Sequence, residues 1–155
     1  MCVSPDADFR EANLNDSSLQ NADLMLANLQ GAKLTRANLK HANLQDAKFQ
    51  AAQMVNGNFQ GANLTYANLE GANLANAELS NSRLTGAILR GANLQGAILE
   101  KADFENANLA GVNFKGAHLE GANFQGAVTP KEAILILGRI KYKLVPPSPL
   151  EEISP

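Results

Sequence analysis

Residues 61–75 read Gly-Ala-Asn-Leu-Thr, Tyr-Ala-Asn-Leu-Glu, Gly-Ala-Asn-Leu-Ala, three variations on one five-residue phrase. Followed outward in both directions, the phrase keeps its register from Ala7 to Gly126 without insertion or deletion. Every fifth residue from Phe9 to Phe124 is Leu seventeen times, Phe six times and Met once, at Met54, and no other Phe occurs in the chain. Two residues earlier in each unit, twenty of 24 positions are Ala; the exceptions are Ser17, Gly57, Ser82 and Val112. The position between the two is Asn twelve times and Asp three times. A repeat this short and regular decides the architecture before local propensity is consulted.

A period of five fits neither regular element. On a helix five residues advance the stripe by roughly 140° beyond a full turn, so the Leu positions would wind around the whole cylinder. On a straight strand an odd period sends successive Leu residues to opposite faces. A chain that turns a corner every five residues removes the conflict. On each short side Ala and the Leu two later point the same way, into an interior, while the Asn between them and the two residues after Leu face out. The second residue after each Leu or Phe is Gly ten times and Asn five times. Those residues tolerate the positive φ that a type II turn requires at its third position. Such coils stack into an all-β solenoid, each burying its top and bottom on its neighbours.

The units, for instance Ala62-Asn63-Leu64, Ala67-Asn68-Leu69 and Gly91-Ala92-Asn93-Leu94, resemble those of the pentapeptide repeat proteins, and the resemblance covers residues 7–127. It implies a right-handed quadrilateral β-helix with four units per coil. Twenty-four units would then make about six coils, a rod of roughly 29 Å at ~4.8 Å per coil. The resemblance also suggests a cyanobacterial source.

The ends divide the chain into an N-terminal tail (1–6), the β-helix (7–127), a C-terminal cap (128–144) and a disordered tail (145–155) carrying four Pro and two Glu. The cap reads as a helix. Thr129 is its N-cap, Pro130 its first helical residue and Glu132 completes a capping box. One face would carry Ala133, Ile136, Leu137, Ile140 and Leu144 against the open end of the last coil, including Leu109, Phe114, Leu119 and Phe124. Leu135 and Tyr142 would point away and offer a contact for an end-to-end homodimer, as in some relatives of the family.

Composition bounds the function. The 155 residues carry thirteen Lys+Arg against fifteen Asp+Glu, a net charge of −2, which argues against a general nucleic-acid binder. The lone Cys2 excludes an internal disulfide and a Cys-rich zinc site. No apolar run approaches the ~20 residues of a membrane span. The first ten residues lack a secretory h-region, so the chain as given reads as soluble and cytoplasmic. An interior filled with Leu, Phe and Ala leaves no room for a ligand, so no cofactor, small-molecule substrate or catalytic residue is expected. His41 and His118, the two histidines, fall on one side of a four-sided rod but four coils apart, too far to share a metal. Cys2 has no paired base beside it. The carboxylates are scattered; Glu100 and Glu120 share an outward column, and Asp103 and Glu105 flank Phe104, with no cleft to perturb them.

The informative exceptions are outward apolar residues. Met25, Leu26 and Tyr66 fall on one side of the N-terminal half, a candidate partner-binding cluster, and Ile88 and Ile98 replace Asn on opposite sides of one coil. The function these features favour is a non-enzymatic scaffold that binds an unidentified protein through flat walls. The alternative is a DNA-mimicking inhibitor or protector acting on a type II topoisomerase, a role known in the resembled family. It needs strongly negative walls, and residues 7–127 hold eleven acidic and nine basic side chains.

Overall fold

The computed structural model describes residues 6–128. Its backbone hydrogen bonds show how the five-residue phrase closes. In each unit the inward Ala N–H donates to the carbonyl of the Leu or Phe three residues back, as Ala12 does to Phe9 at 3.0 Å. Positive φ falls on the residue before that Ala at every corner from Asp6 to Gly126. This is the type II turn that the Gly and Asn pattern predicts. It holds even where Glu11, Leu26, Arg36, His41, Ala51, Tyr66 and Lys101 occupy the corner, at φ 56–62°.

The coil closes after four turns. Every bridge is parallel and joins residues twenty apart: Asp8 to Asn28, Asn13 to Lys33, Ser18 to Asn38, Asp23 to Asn43, and onward to Asn108 and Val128. Four walls result. Wall I runs through Asp8, Asn28, Lys48, Asn68, Ile88, Asn108 and Val128; wall II through Asn13, Lys33, Gln53, Asn73, Asn93 and Asn113. Wall III runs through Ser18, Asn38, Asn58, Glu78, Ile98 and His118; wall IV through Asp23, Asn43, Asn63, Arg83, Asp103 and Asn123. Val128 is thus a rung of wall I, and Asp6 is the corner before it, donating its N–H to the Met25 carbonyl. The described residues contain no helix. Nor do they contain a run of consecutive paired residues: a turn at every fifth residue leaves each wall one bridging residue per coil. The predicted cap helix and the contact residues Leu135 and Tyr142 lie outside the described residues.

Three of the remaining backbone donors are satisfied along the stack. The Leu N–H donates to the rung residue's carbonyl of the next coil (Phe9 to Asn28, 2.7 Å), the corner N–H does the same one turn on (Glu11 to Gln30, 3.0 Å), and the rung N–H donates back (Asn28 to Ala7, 2.9 Å). The fifth, on the residue just after Leu, has no backbone partner, and the rung side chain supplies one. The side-chain oxygen of every Asn or Asp rung from Asp8 to Asn123 accepts the N–H two residues ahead; Asn68 takes that of Glu70 at 3.0 Å and Asn108 that of Ala110 at 3.2 Å. Glu78 does so for Ser80 at 2.8 Å. The Asn preference is therefore an Asx-turn requirement rather than mere outward polarity. The Asn amides also link coils: Asn93 donates to Asn73 and Asn113 to Asn93, both at 3.1 Å, and Asn43 to Asp23 at 2.9 Å.

The interior is filled as predicted. From Leu19 to Ala127 the Leu, Phe, Met and Ala positions are buried, with Val112 and Ala117 half-buried. Gly57, in an Ala position, makes room for the Phe59 ring, whose Cε2 would lie 2.6 Å from an added Cβ. Near the C-terminal end Phe104 and Phe124 of wall IV stack at 5.1 Å, and Phe114 from wall II meets both edge-on at 6.3 Å. Ser82 is 1 % exposed and its hydroxyl has no hydrogen-bond partner; the half-buried Ser17 hydroxyl has none either. In the first coil Ala7, Phe9, Ala12 and Leu14 are only half-buried.

Candidate partner-binding corner

The corner between walls IV and I carries Asp6, Leu26, Asp46, Tyr66, Gly86, Asn106 and Gly126, one per coil, each at positive φ. Leu26 is 43 % exposed and Tyr66 60 %, and Asp46 lies between them in the column. Adjacent coils are separated by ~4.8 Å, so Leu26 and Tyr66 stand about 10 Å apart. Met25, the residue before the corner, is half-buried. The structure thus places the three predicted residues on one edge, with Leu26 and Tyr66 as its exposed part. The Tyr66 ring leans along the stack over Gly86, where an added Cβ would collide with Cε1 and Cδ1. The same device recurs elsewhere: His41 covers Gly61, Glu11 covers Gly31, and Asn106 covers Gly126. A glycine after a bulky corner lets the side chain lie down on the next coil.

The sequence model of the family "Pentapeptide repeats (8 copies)" matches residues 6–40, 22–61, 52–91 and 87–126. The chain is a pentapeptide repeat protein. Among solved structures it is similar to HetL, a pentapeptide repeat protein involved in heterocyst differentiation regulation from the cyanobacterium Nostoc sp. PCC 7120. Identity is 32 % and the TM-score 0.51, over 84 % of this chain and 64 % of that one. It is also similar to Rfr23 from the cyanobacterium Cyanothece 51142, at 35 % identity and a TM-score of 0.39, over 70 % of this chain and 60 % of that one. QnrB1, a plasmid-mediated fluoroquinolone resistance protein, is 18 % identical at a TM-score of 0.39, over 93 % of this chain and 95 % of that one. The chain thus spans less than two thirds of the length of HetL and of Rfr23. No curated protein matches it. Pentapeptide repeat proteins form right-handed β-helices and are generally non-enzymatic structural or interaction proteins.

The other candidates of this repeat protein are dispersed by the same register. His41 sits at the corner between walls III and IV, and His118 is a rung of wall III, four turns of the stack away; both are exposed. Glu100 and Glu120 are exposed and one coil apart. Among the described residues no three His, Cys, Asp or Glu side chains come together as metal ligands would. No described helix is long and apolar enough to cross a membrane. Cys2 lies outside the described residues. Ile88 and Ile98 stand exposed on walls I and III, with no side-chain acceptor to offer the following N–H.

Charge on the walls is partly self-neutralised. Arg10 pairs with Asp8 at 2.7 Å, Arg36 with Asp16 of the preceding coil at 2.6 Å, and Arg90 with Glu70 at 3.9 Å. Hydrogen bonds from the Arg10 guanidinium and backbone N–H hold the Asp8 carboxyl down at about 2. Those from Arg36 lower Asp16. An open polar depression at this end is lined by Asp8, Arg10, Glu11 and Gln30.

Proposed function

We propose that this chain is a non-enzymatic scaffold of about six coils that binds another protein through its outer surface, with Met25, Leu26 and Tyr66 as the contact cluster. One observation carries the proposal. Two bulky apolar side chains stand exposed on one edge of a rigid stack, at left-handed backbone positions that cost an ordinary residue roughly 1–2 kcal/mol. The corner needs neither for folding, since Gly86 and Asn106 make the same turn. The topoisomerase-inhibitor reading draws less support, because three ion pairs neutralise part of an already balanced surface.

The test is a pull-down from a cyanobacterial lysate with the full chain as bait, beside the Leu26→Ser/Tyr66→Ser variant and an Asn56→Ser variant on the opposite corner. A protein retained by wild type and Asn56→Ser but lost by the double variant supports the cluster. Equal capture by all three removes it. A gyrase supercoiling assay accompanies it. Inhibition that vanishes when wall carboxylates are neutralised would reverse the ranking of the two functions.

A further inference from the structure

The Leu26 edge differs from the other corners in charge as well as in exposed apolar surface. Asp6 and Asp46 precede and follow Leu26 in the same column, and Asp23 is the wall IV rung beside Met25. Asp23 accepts hydrogen bonds from the Met25 N–H and the Asn43 amide, and Asp46 from the Gln45 amide. Among the described residues none of the three carboxylates is in an ion pair, although Lys48 lies on the adjoining wall I and Arg83 on wall IV. The opposite corner, between walls II and III, runs Asp16, Arg36, Asn56, Asn76, Gly96, Gly116. Its one carboxylate is closed by Arg36, and it presents no large apolar side chain.

We propose that the Leu26–Asp46–Tyr66 edge docks a cationic, apolar peptide segment of a partner protein, with an arginine or lysine between Asp46 and Tyr66 and an apolar side chain on Leu26 and Met25. This rests on the scaffold function above and specifies the chemistry of its partner. The spacing suits the task. The backbones of Asp46 and Tyr66 are one coil apart, ~4.8 Å along the column, and the ring lies onward over Gly86, so an arginine side chain laid along the edge can meet the carboxylate and rest against the phenol ring. Gly86 leaves the space in which the ring lies along the stack. Three carboxylates outside any ion pair among the described residues favour a positive segment over a neutral or acidic one.

The experiment maps amide chemical shifts of the isotope-labelled full chain during titration with a capped Arg-Leu-Arg-Leu-Arg peptide, and with the same peptide carrying Glu for Arg. The cationic peptide should perturb residues 25–26, 45–46 and 65–66 and bind more weakly as salt rises. Asp46→Asn and Tyr66→Ala should each weaken it about two- to fivefold, and together about tenfold. Tyr66 is an exposed corner and Asp46 a half-buried one, and the spectrum of each variant outside the edge reports that the stack is intact. Three results overturn the proposal: no perturbation at the edge, perturbation spread equally to Glu100 and Glu120, or equal binding of the acidic peptide. The pull-down reads loss on Leu26→Ser/Tyr66→Ser, which removes the apolar surface without adding charge, whatever the partner's charge. A positive pull-down with a negative titration would therefore reject the cationic partner and keep the scaffold.

Discussion

The two halves of the stack share one interior and differ at their corners. Of the thirteen corner residues from Asp6 to Tyr66 only Gly31 and Gly61 are glycine, whereas eight of the twelve from Gly71 to Gly126 are. All have the same positive φ. Where glycine makes the turn it displays no side chain of its own. Where Glu11, Leu26, Arg36, His41 or Tyr66 makes it, a side chain is displayed against a backbone preference. The inner Leu/Ala lattice therefore sets the fold strongly enough to force any residue into the corner. That releases the corners to carry surface chemistry, and the N-terminal half has used the freedom.

The largest effects should come from the shared interior, and there the halves ought to agree except at the open first coil. Leu69→Ala, fully buried in mid-stack, should lose about 2–5 kcal/mol in urea unfolding. Leu14→Ala, half-buried in the first coil, should lose less than half of that. Equal losses would mean that the first coil is as well covered as the middle. The corner difference itself is tested by exchange within one column. Ala51 and Gly91 both occupy the corner between walls I and II, and an added Cβ at Gly91 meets nothing within 4 Å. Gly91→Ala should cost about 1 kcal/mol and Ala51→Gly should gain a similar amount. If neither moves the midpoint, the corners are unstrained and the display of Leu26 and Tyr66 has no backbone cost.

Two smaller gains follow from unpaired polar groups. Ser82→Ala removes a buried hydroxyl without a partner and restores the dominant residue, so it should stabilise by about 1 kcal/mol. Ile88→Asn supplies the Asx acceptor that the Arg90 N–H lacks and should gain about 0.5–1 kcal/mol. A loss at Ile88 would show that its apolar contacts outweigh the missing hydrogen bond.

Much of this architecture was legible because the repeat states its burial pattern 24 times. The inward Leu and Ala columns follow from the period, and the turns follow from Gly and Asn two residues after Leu. Tertiary context then extends those turns to Glu11, Leu26 and Tyr66, which propensity alone would not place there. The role of Asn was missed. Sequence reasoning sent it outward, when Asn or Asp two residues before an unsatisfied N–H is itself an Asx-turn signal. Ser80, assigned to the outside with the other post-Leu residues, is buried at 8 %. The candidate site was legible only as three apolar exceptions, Met25, Leu26 and Tyr66. Their place on one side followed from the four-unit coil that the resemblance implies, and the structure adds that Leu26 and Tyr66 are corner residues of one column with Met25 half-buried beside them. Their partner leaves no trace in a fold whose corners keep a positive φ whichever residue occupies them.

The smallest effect concerns charge in the first coils, where Arg36 and Asp16 pair within one corner column and Arg10 pairs with the rung Asp8. Asp8 is fully exposed, yet hydrogen bonds from the Arg10 side chain and backbone hold its pKa at about 2, below its ordinary value of 3.8. Asp16 is lowered for the same reason by Arg36, which reaches it from the next coil. A depressed carboxylate stabilises the fold above its unfolded-state pKa and loses that contribution as pH falls through the folded one. For Asp8 the window runs from about 4 down to about 2. The contribution to stability is small, because exposed pairs are screened by water and salt. Carboxyl chemical shifts followed against pH should titrate near 2 for Asp8 and below the ordinary value for Asp16. Arg10→Ala should return Asp8 to the ordinary range and leave Asp16 unmoved, while Arg36→Ala should do the reverse. The Arg36 pair joins two coils and the Arg10 pair lies within one unit. Acid fraying of the first coil should therefore begin earlier in Arg36→Ala than in Arg10→Ala, read as earlier loss of amide protection at Ala12 and Asp16. Identical fraying in both variants would show that these pairs decorate the N-terminal half without tying its coils together.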